Sequence, residues 1–238
     1  MLKHNSFSIL FAFIFVLHLS GIAMEYSMLV SITKPMIAGS LLLYVYNVTH
    51  LSNAFQKRIF AGLIFSLIGD ILLMMVDKNP NFFIAGLVAF LLAQLSYITA
   101  FYLDFKQKIT HNKVLFLIAV LVFGIFCISL FNYLSPGLGD LKIPVLCYAI
   151  IISIMAIFAM NRYGMVSRVS FIMIFLGAIF FLVSDTALAI DKFAKSYAYS
   201  GIIIMSTYML AQYYITRGAL EKDVNQISFN IIFIDLSI

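Results

Sequence analysis

The sequence predicts an all-α integral membrane protein with eight transmembrane helices. Hydrophobic residues make up 63% of the 238 residues and charged residues 11%, whereas a soluble domain is about half apolar and about a quarter charged. The apolar residues form continuous runs, without the alternation that strands of an outer-membrane barrel show. Because no water-soluble fold has an interior large enough for this apolar surface, soluble enzymes and peripheral proteins are excluded.

Each predicted helix corresponds to an apolar run of roughly the 20 residues that cross a bilayer. The breaks between runs are too short to hold a soluble domain. A signal peptide is an alternative for the first run, with Gly21-Ile22-Ala23 resembling a cleavage site. Its length and the Glu25 that follows it favour an uncleaved helix. The runs lie near 7–24, 30–48, 57–76, 82–103, 113–131, 142–160, 168–190 and 199–216.

The distribution of basic residues predicts the orientation of the bundle. With the N-terminus in the cytoplasm, ten of the 15 Lys and Arg residues fall on that side and five on the other. Cytoplasmic segments carry the excess of Lys and Arg in membrane proteins, so we expect both termini in the cytoplasm and the protein in a bacterial inner (plasma) membrane. The net charge of +5 is explained by these topology signals, and no nucleic-acid partner is expected.

An internal repeat is visible around two acidic residues. Residues 62–73 read GLIFSLIGDILL and residues 177–188 read GAIFFLVSDTAL, in the same register. The helix after each acidic residue carries Leu-Ala-Gln. Duplication of four helices to eight gives a parallel repeat with its axis along the membrane normal. We expect one polytopic domain over 1–220, with halves of about 1–105 and 106–220, and a C-terminal tail over 221–238.

Asp70 and Asp185, the acidic residues of the repeat, are the predicted catalytic pair. An ionised carboxylate inside a transmembrane helix costs about 2.5–3.5 kcal/mol even on the lenient insertion scale. Burial and a neighbouring carboxylate both favour the neutral form of such a group, so a close pair would hold one acid and one base at neutral pH. Neither role is assigned to one Asp in particular. The structural alternative is a hydrogen bond between helices.

Polar residues near the two Asp residues are candidates for substrate binding. The serines lie beside the acids at helical spacing, the Gln and Tyr residues share helix faces, and the lysine stands at the outer end of a helix. For each of them a structural role is the alternative: satisfying an acid, packing helices or placing an ammonium at the membrane interface. The set comprises Lys34, Ser66, Gln94, Tyr97, Ser184, Tyr208 and Gln212.

Metal and cofactor chemistry is not expected. His18 is the only intramembrane histidine, and the sequence has no HExxH, Gly-rich phosphate loop, GxSxG or CxxC motif. A lone histidine on a first helix is usually a packed or hydrogen-bonded residue. Cys127 and Cys147 lie in apolar runs and are interpreted as ordinary buried thiols, with a disulfide as the less favoured alternative.

Five segments together resemble the YhhN family of eight-helix membrane proteins, whose characterised members are lysoplasmalogenases. The resemblance covers most of the chain up to about residue 220. Its most specific part is the combination of the Gly-Asp helix and the Ser-Asp helix. The segments are TKP at 33–35, FSLIGDILLM at 65–74, GLVAFLLAQLSY at 86–97, FLVSDTALAI at 181–190 and YMLAQ at 208–212.

The resemblance implies hydrolysis of the vinyl ether bond of a lysoplasmalogen, a lysophospholipid of the bilayer. The products would be a fatty aldehyde and glycerophosphocholine or glycerophosphoethanolamine, and the family's acidic positions correspond to Asp70 and Asp185. Two carboxyl groups suit this chemistry, because one protonates the alkene carbon and the other stabilises the cation and deprotonates water. We expect the lysolipid to enter sideways, with its chain among Phe and Leu side chains and its phosphate near Lys34 or the lysines of the outer loops.

Two other functions are compatible with the sequence. Repeats and intramembrane acids also occur in proton-coupled transporters. The Asp helices lack the Gly or Pro break that is common there, and the carboxyl groups lie away from the bilayer centre. A non-catalytic lipid-binding protein is the third interpretation, and the oligomeric state stays open.

Overall fold

Eight α-helices form within the residues that the computed structural model describes, which are 4–107 and 112–235, with side chains for 5–104 and 112–221. Apart from the end of α8, each helix bound lies within four residues of the predicted one. Two short 3-10 turns connect α5 and α6. The helices are α1 (His4–Ala23), α2 (Ser27–Thr49), α3 (Ala54–Leu73), α4 (Asn81–Gln107), α5 (Lys113–Leu134), α6 (Lys142–Met160), α7 (Arg168–Phe193) and α8 (Ser200–Asp235).

Side-chain caps fix the start of several helices. The Asn53 side chain accepts a hydrogen bond from the backbone N–H of Gln56, and the Gln56 side chain accepts one from the backbone of Asn53, which forms a capping box at α3. Asn112 caps α5 and Ser167 caps α7 in the simpler one-bond form. These caps satisfy backbone donors that a helix end leaves without partners.

Helix α8 differs from the prediction because it continues past residue 220 to Asp235. The predicted boundary between the membrane domain and the tail therefore does not coincide with a helix end. Residues 236–238 of that tail, and residues 108–111 beside the predicted junction of the halves, lie outside the described residues.

Within the part of the chain that the structure describes, six helices are long and apolar enough to cross a membrane, namely all except α3 and α8. Helix α3 carries Lys57, Arg58 and Asp70, and α8 carries several hydroxyl and amide side chains. These two helices contact each other, and Ser66 of α3 is bonded to Gln212 of α8. Tyr208 of α8 is likewise bonded to Asp70 of α3, so the buried polar side chains of α3 find partners on α8 inside the bundle. The protein is an all-helical integral membrane protein.

The lipid-facing surface is apolar. Only 17% of the residues in the apolar stretch of α5 are buried. Leu117, Leu121, Ile125 and Ile128 form an exposed stripe at helical spacing. A soluble monomer rarely exposes so extensive an apolar surface, so this face suits a hydrocarbon environment. The helices that carry the acidic residues, α3 and α7, pack mainly on α4 and α8, respectively.

Glycines allow α7 and α8 to pack closely against each other. A Cβ atom at Gly177 of α7 would lie 2.9 Å from the carbonyl oxygen of Ala211 and 2.8 Å from the backbone nitrogen of Ile215 in α8. Gly218 of α8 makes an equally close approach to the backbone of Ile174. Small residues at such contacts are typical of membrane helix pairs.

Candidate functional site

Asp185 of α7 is held by side chains of two other helices. The hydroxyl of Tyr148, in α6, donates to Asp185 Oδ2 at 2.5 Å, and Gln94 Nε2, in α4, donates to the same oxygen at 2.8 Å. Gln94 Nε2 also donates to the Tyr148 hydroxyl at 2.8 Å. Both donors converge on one carboxylate oxygen, and no described residue donates to Oδ1. The arrangement suits a carboxylate that can exchange a proton through its second oxygen.

Gln94 leaves a buried acceptor beside this carboxylate. Its side chain is fully buried, and its Oε1 has no hydrogen-bond partner among the described residues. An acceptor left in this state costs about 1–3 kcal/mol. A donor such as a protonated carboxyl, a water or a substrate hydroxyl would remove that cost.

A small cavity adjoins Asp185 and Tyr148. Its volume is about 30 Å³, enough for a water molecule. The remaining lining side chains are apolar and come from α4, α6 and α7. They are Phe83, Leu87, Val145, Leu188, Ala189 and Phe193. A reacting group that reaches Asp185 therefore meets one carboxyl group in apolar surroundings.

Asp70 of α3 occupies a separate and more buried position, with 2% of its surface exposed. The hydroxyl of Tyr208, in α8, donates to its Oδ2 at 2.7 Å. The charged group that acts on it through space is Lys34 of α2. Lys34 is half-buried and forms no ion pair with a described residue. The Lys34 ammonium thus acts on Asp70 electrostatically and forms no ion pair with it.

A second chain of hydrogen-bonded side chains lies beside Asp70. Tyr97 donates to Gln212 Oε1 at 2.7 Å, and Gln212 Nε2 donates to Ser66 Oγ at 2.8 Å. All three side chains are fully buried. These hydrogen bonds connect α4, α8 and α3.

The structure shows no direct contact between Asp70 and Asp185. No hydrogen bond joins the two carboxylates within the described residues, since each is held by other side chains. The ring of Phe90 packs on Tyr208, the partner of Asp70, at 5.7 Å, and on Phe181, one helical turn before Asp185, at 6.4 Å. Aromatic packing therefore connects the surroundings of the two acids.

Some predicted binding residues contact neither acid. The hydroxyl of Ser184 donates to the backbone carbonyl of Ile204 at 3.0 Å, and Ser66 is bonded to Gln212. A hydrogen bond from either serine to its adjacent Asp, which helical spacing allowed, is absent. Gln94 and Tyr97 share a face of α4, as predicted, but the structure divides them between two networks. Gln94 and Tyr208 do satisfy the acids.

Tyr148 is the site residue that sequence reasoning missed. It lies on α6, outside every motif around the two Asp residues, and it is one of 13 tyrosines. The signal available was its position one turn after Pro144, which does not by itself point to Asp185. Its role follows only from the packing of α6 on α7.

His18 has the structural role expected of it. Its Nδ1 lies 2.8 Å from Thr33 Oγ1, whose hydroxyl donates to the carbonyl of Leu29. Nδ1 is therefore the donor, and Nε2 is buried without a partner among the described residues. No group of three or more His, Cys, Asp or Glu side chains is placed to hold a metal ion in the described part of the chain.

Comparisons with known proteins agree on one family. The model of the YhhN family matches residues 29–219. A bovine protein named lysoplasmalogenase TMEM86A is 33% identical over 176 residues, 72% of this chain and 69% of the relative. The human protein of that name is 30% identical over 72% of this chain and 69% of its own. Human lysoplasmalogenase TMEM86B is 30% identical over 73% and 68%, respectively. No solved structure matches the chain.

Proposed function

The chain belongs to the YhhN family, and on that premise we propose that it is a membrane hydrolase that cleaves the vinyl ether bond of lysoplasmalogens. The products are a fatty aldehyde and glycerophosphocholine or glycerophosphoethanolamine. The observation that carries the proposal is the Asp185 carboxyl group, which two donors hold beside a cavity inside an apolar bundle. Relatives named lysoplasmalogenases support the same assignment.

Asp185 performs both proton transfers of the reaction. Its neutral carboxyl gives a proton to the alkene carbon that lies one bond from the ether carbon, which leaves an oxocarbenium ion and a carboxylate. Water then attacks the cationic carbon, and the carboxylate takes a proton from that water. The hydroxyl group of the resulting hemiacetal then releases its proton and becomes the aldehyde carbonyl. The bond to the glycerol oxygen breaks at the same time, and that oxygen takes up a proton. One water is consumed, and the carboxyl group is restored.

Tyr148 and Gln94 support the charged state that appears during the cycle. Both donate to Oδ2, so they stabilise the carboxylate that remains after proton transfer and leave Oδ1 for the substrate. The buried Oε1 of Gln94 accepts a hydrogen bond from the attacking water. This arrangement resembles the way glycosidases place carboxyl groups around a similar cation.

Asp70 is the second acid of the proposal and acts from its own position. The positive charge of Lys34 acts on Asp70, and we place the Lys34 ammonium at the substrate phosphate. The Asp70 carboxylate attracts the Lys34 ammonium and so helps to position it. Removal of the Asp70 charge therefore affects the placement of the lysolipid more than the proton transfer. Ser66, Tyr97, Ser184 and Gln212 keep this part of the bundle in place.

The proposed topology has eight spans in two parallel halves, with both termini in the cytoplasm. Each Asp accepts a hydrogen bond from the last helix of the opposite half: Asp70 from α8 and Asp185 from α4. These two hydrogen bonds between the halves support a two-fold axis along the membrane normal that relates one half to the other. Both carboxyl groups then lie towards the outer leaflet. A reporter fused after Arg217 that is active only outside the cytoplasm would contradict this orientation.

Asparagine substitutions test the proposed chemistry. Asp185→Asn keeps the shape of the side chain and removes the exchangeable proton, so aldehyde release from choline lysoplasmalogen falls by about 10²–10⁴-fold, the usual contribution of an acid–base group. Asp70→Asn lowers the rate less and raises KM. Ser206→Ala, on the exposed side of α8, is the matched control and retains full activity. Full activity of Asp185→Asn in folded protein would refute the mechanism.

A proton-coupled carrier is the other function that intramembrane acids suggest. Helices α3 and α7 run without interruption through Asp70 and Asp185, whereas carriers commonly place such groups at broken helices. Proteoliposomes distinguish the two functions. Lysolipid-dependent proton movement without aldehyde formation would replace the hydrolase by a carrier.

A further inference from the structure

An apolar groove lies between the first turns of α4 and α6. Its volume is about 140 Å³, and it shares Leu87, Val145 and Tyr148 with the cavity at Asp185. The two spaces are therefore neighbours along the same pair of helices, and Tyr148 stands where they meet. The other lining residues of the groove are Ile84, Val88, Leu91, Leu141, Pro144 and Cys147.

The composition of the groove matches a hydrocarbon chain. Its only polar groups are the Tyr148 hydroxyl, which is engaged with Asp185, and the Cys147 thiol. Ile84 and Val88 are exposed on the lipid-facing surface of α4, so the groove is open sideways to the bilayer. From Ile84 to Leu91 it extends for about 10 Å along the helix axis.

We propose that this α4–α6 groove holds the alkenyl chain of the lysoplasmalogen and brings its vinyl ether bond to Asp185. The inference rests on the proposed hydrolase function and adds to it the path of the chain and the acid that meets the substrate. The double bond is the first part of the chain after the ether oxygen. When the saturated part lies between α4 and α6, the double bond reaches the Tyr148 end of the groove, beside the Asp185 carboxyl.

The larger cavity of the protein does not offer this arrangement. It has a volume of about 560 Å³ and lies between α1 and α2, with Phe7, Ser40, Tyr44 and Asn47 in its lining. Neither Asp70 nor Asp185 contributes to it. A chain bound there would leave its double bond without a carboxyl group.

Cys147 provides a direct test, because it lines the groove and is exposed, whereas Cys127 is buried. Reaction with dodecyl methanethiosulfonate attaches a hydrocarbon chain to Cys147. We expect this adduct to lower aldehyde release at least tenfold and the methyl adduct to lower it less than threefold. Dithiothreitol restores the rate, and Cys147→Ser makes the enzyme insensitive to both reagents.

A cysteine on the same helix outside the groove is the matched control. Ile150 is exposed on α6 and does not line the groove. In the Cys147→Ser background, the dodecyl adduct of Ile150→Cys is as active as the same variant before modification. Equal inhibition at both positions would mean a general effect of the added chain and would overturn the inference.

Binding without turnover gives an independent readout. A saturated lysophosphatidylcholine, which has no vinyl ether, slows maleimide labelling of Cys147 and leaves labelling of Ile150→Cys unchanged. If the unmodified protein releases aldehyde but the dodecyl adduct is equally active, the groove inference fails and the hydrolase function stands. If the unmodified protein releases no aldehyde, the proposed function fails and the inference falls with it.

Discussion

Tyr148→Phe tests the assignment of Asp185 as the acid that meets the substrate. The substitution removes one hydroxyl and keeps the ring in the contact between α6 and α7. A hydrogen bond to a charged group contributes about 1.5–3 kcal/mol. Gln94 Nε2 still donates to the same oxygen at 2.8 Å. The stabilisation of the carboxylate that the variant loses therefore lies at the lower end of this range, at about 1.5–2 kcal/mol. That energy corresponds to about a 10–30-fold lower rate of aldehyde release.

The control is the same chemical change at the other acid. The Tyr208 hydroxyl donates to Asp70 at 2.7 Å, and Asp70 does not line the cavity at Asp185. We therefore expect Tyr208→Phe to lower the thermal stability of the protein and to change aldehyde release less than threefold. Tyr133→Phe, at an exposed tyrosine of α5, should change neither.

The assay compares the three variants with the unmodified protein in mixed micelles of choline lysoplasmalogen. Aldehyde formation gives kcat and KM, and the unfolding midpoint in detergent shows whether each variant is folded. An unchanged rate for folded Tyr148→Phe would refute the reasoning. A larger loss of rate in Tyr208→Phe would transfer the acid–base role to Asp70.

Three further substitutions have expected outcomes. Lys34→Gln raises KM for lysoplasmalogen about tenfold and changes kcat little, if Lys34 binds the phosphate. Asp104→Asn lowers the free energy of unfolding by about 3–5 kcal/mol in a denaturant titration, because it leaves the fully buried Arg162, 2.8 Å from the carboxylate, without a counter-charge. Gly177→Ala lowers it by about 1–3 kcal/mol, since the new methyl group would meet the α8 backbone.

Each of these predictions has a control within the chain. Lys57→Gln removes an exposed lysine at the start of α3 and leaves KM unchanged. Glu221→Gln removes one partner of a partly exposed ion pair and changes stability by less than about 1 kcal/mol. Gly124→Ala, where a Cβ meets no atom within 4 Å, does not destabilise the protein. Equal effects of test and control variants would contradict the stated contacts.

The helices could be predicted from sequence because a bilayer imposes a simple rule on each segment. A run of about 20 apolar residues must form its backbone hydrogen bonds internally, and this requirement does not depend on the rest of the chain. The bounds of α6 coincide with the prediction at both ends. The end of α8 could not be predicted in this way, because the apolar run in the chain after Arg217 is too short to cross a bilayer.

The partners of the acids could not be predicted, because they come from distant parts of the chain. Gln94 and Asp185 are 91 residues apart, and Tyr208 and Asp70 are 138 apart. Helical spacing relates only residues on one helix, so it could place Gln94 and Tyr97 on a common face but could not divide them between two networks. The same limit explains why Tyr148 was missed.

The sequence by itself determined that this is a helical membrane protein with two costly carboxyl groups at matching places in a repeat. Apolar composition and the price of an intramembrane charge are local quantities, which can be evaluated residue by residue. The tertiary structure was needed to show that Asp70 and Asp185 have different hydrogen-bond partners and that Asp185 lines a cavity next to a groove. The reason is that hydrogen-bond partners and cavities are set by the packing of helices against one another, which no single segment specifies.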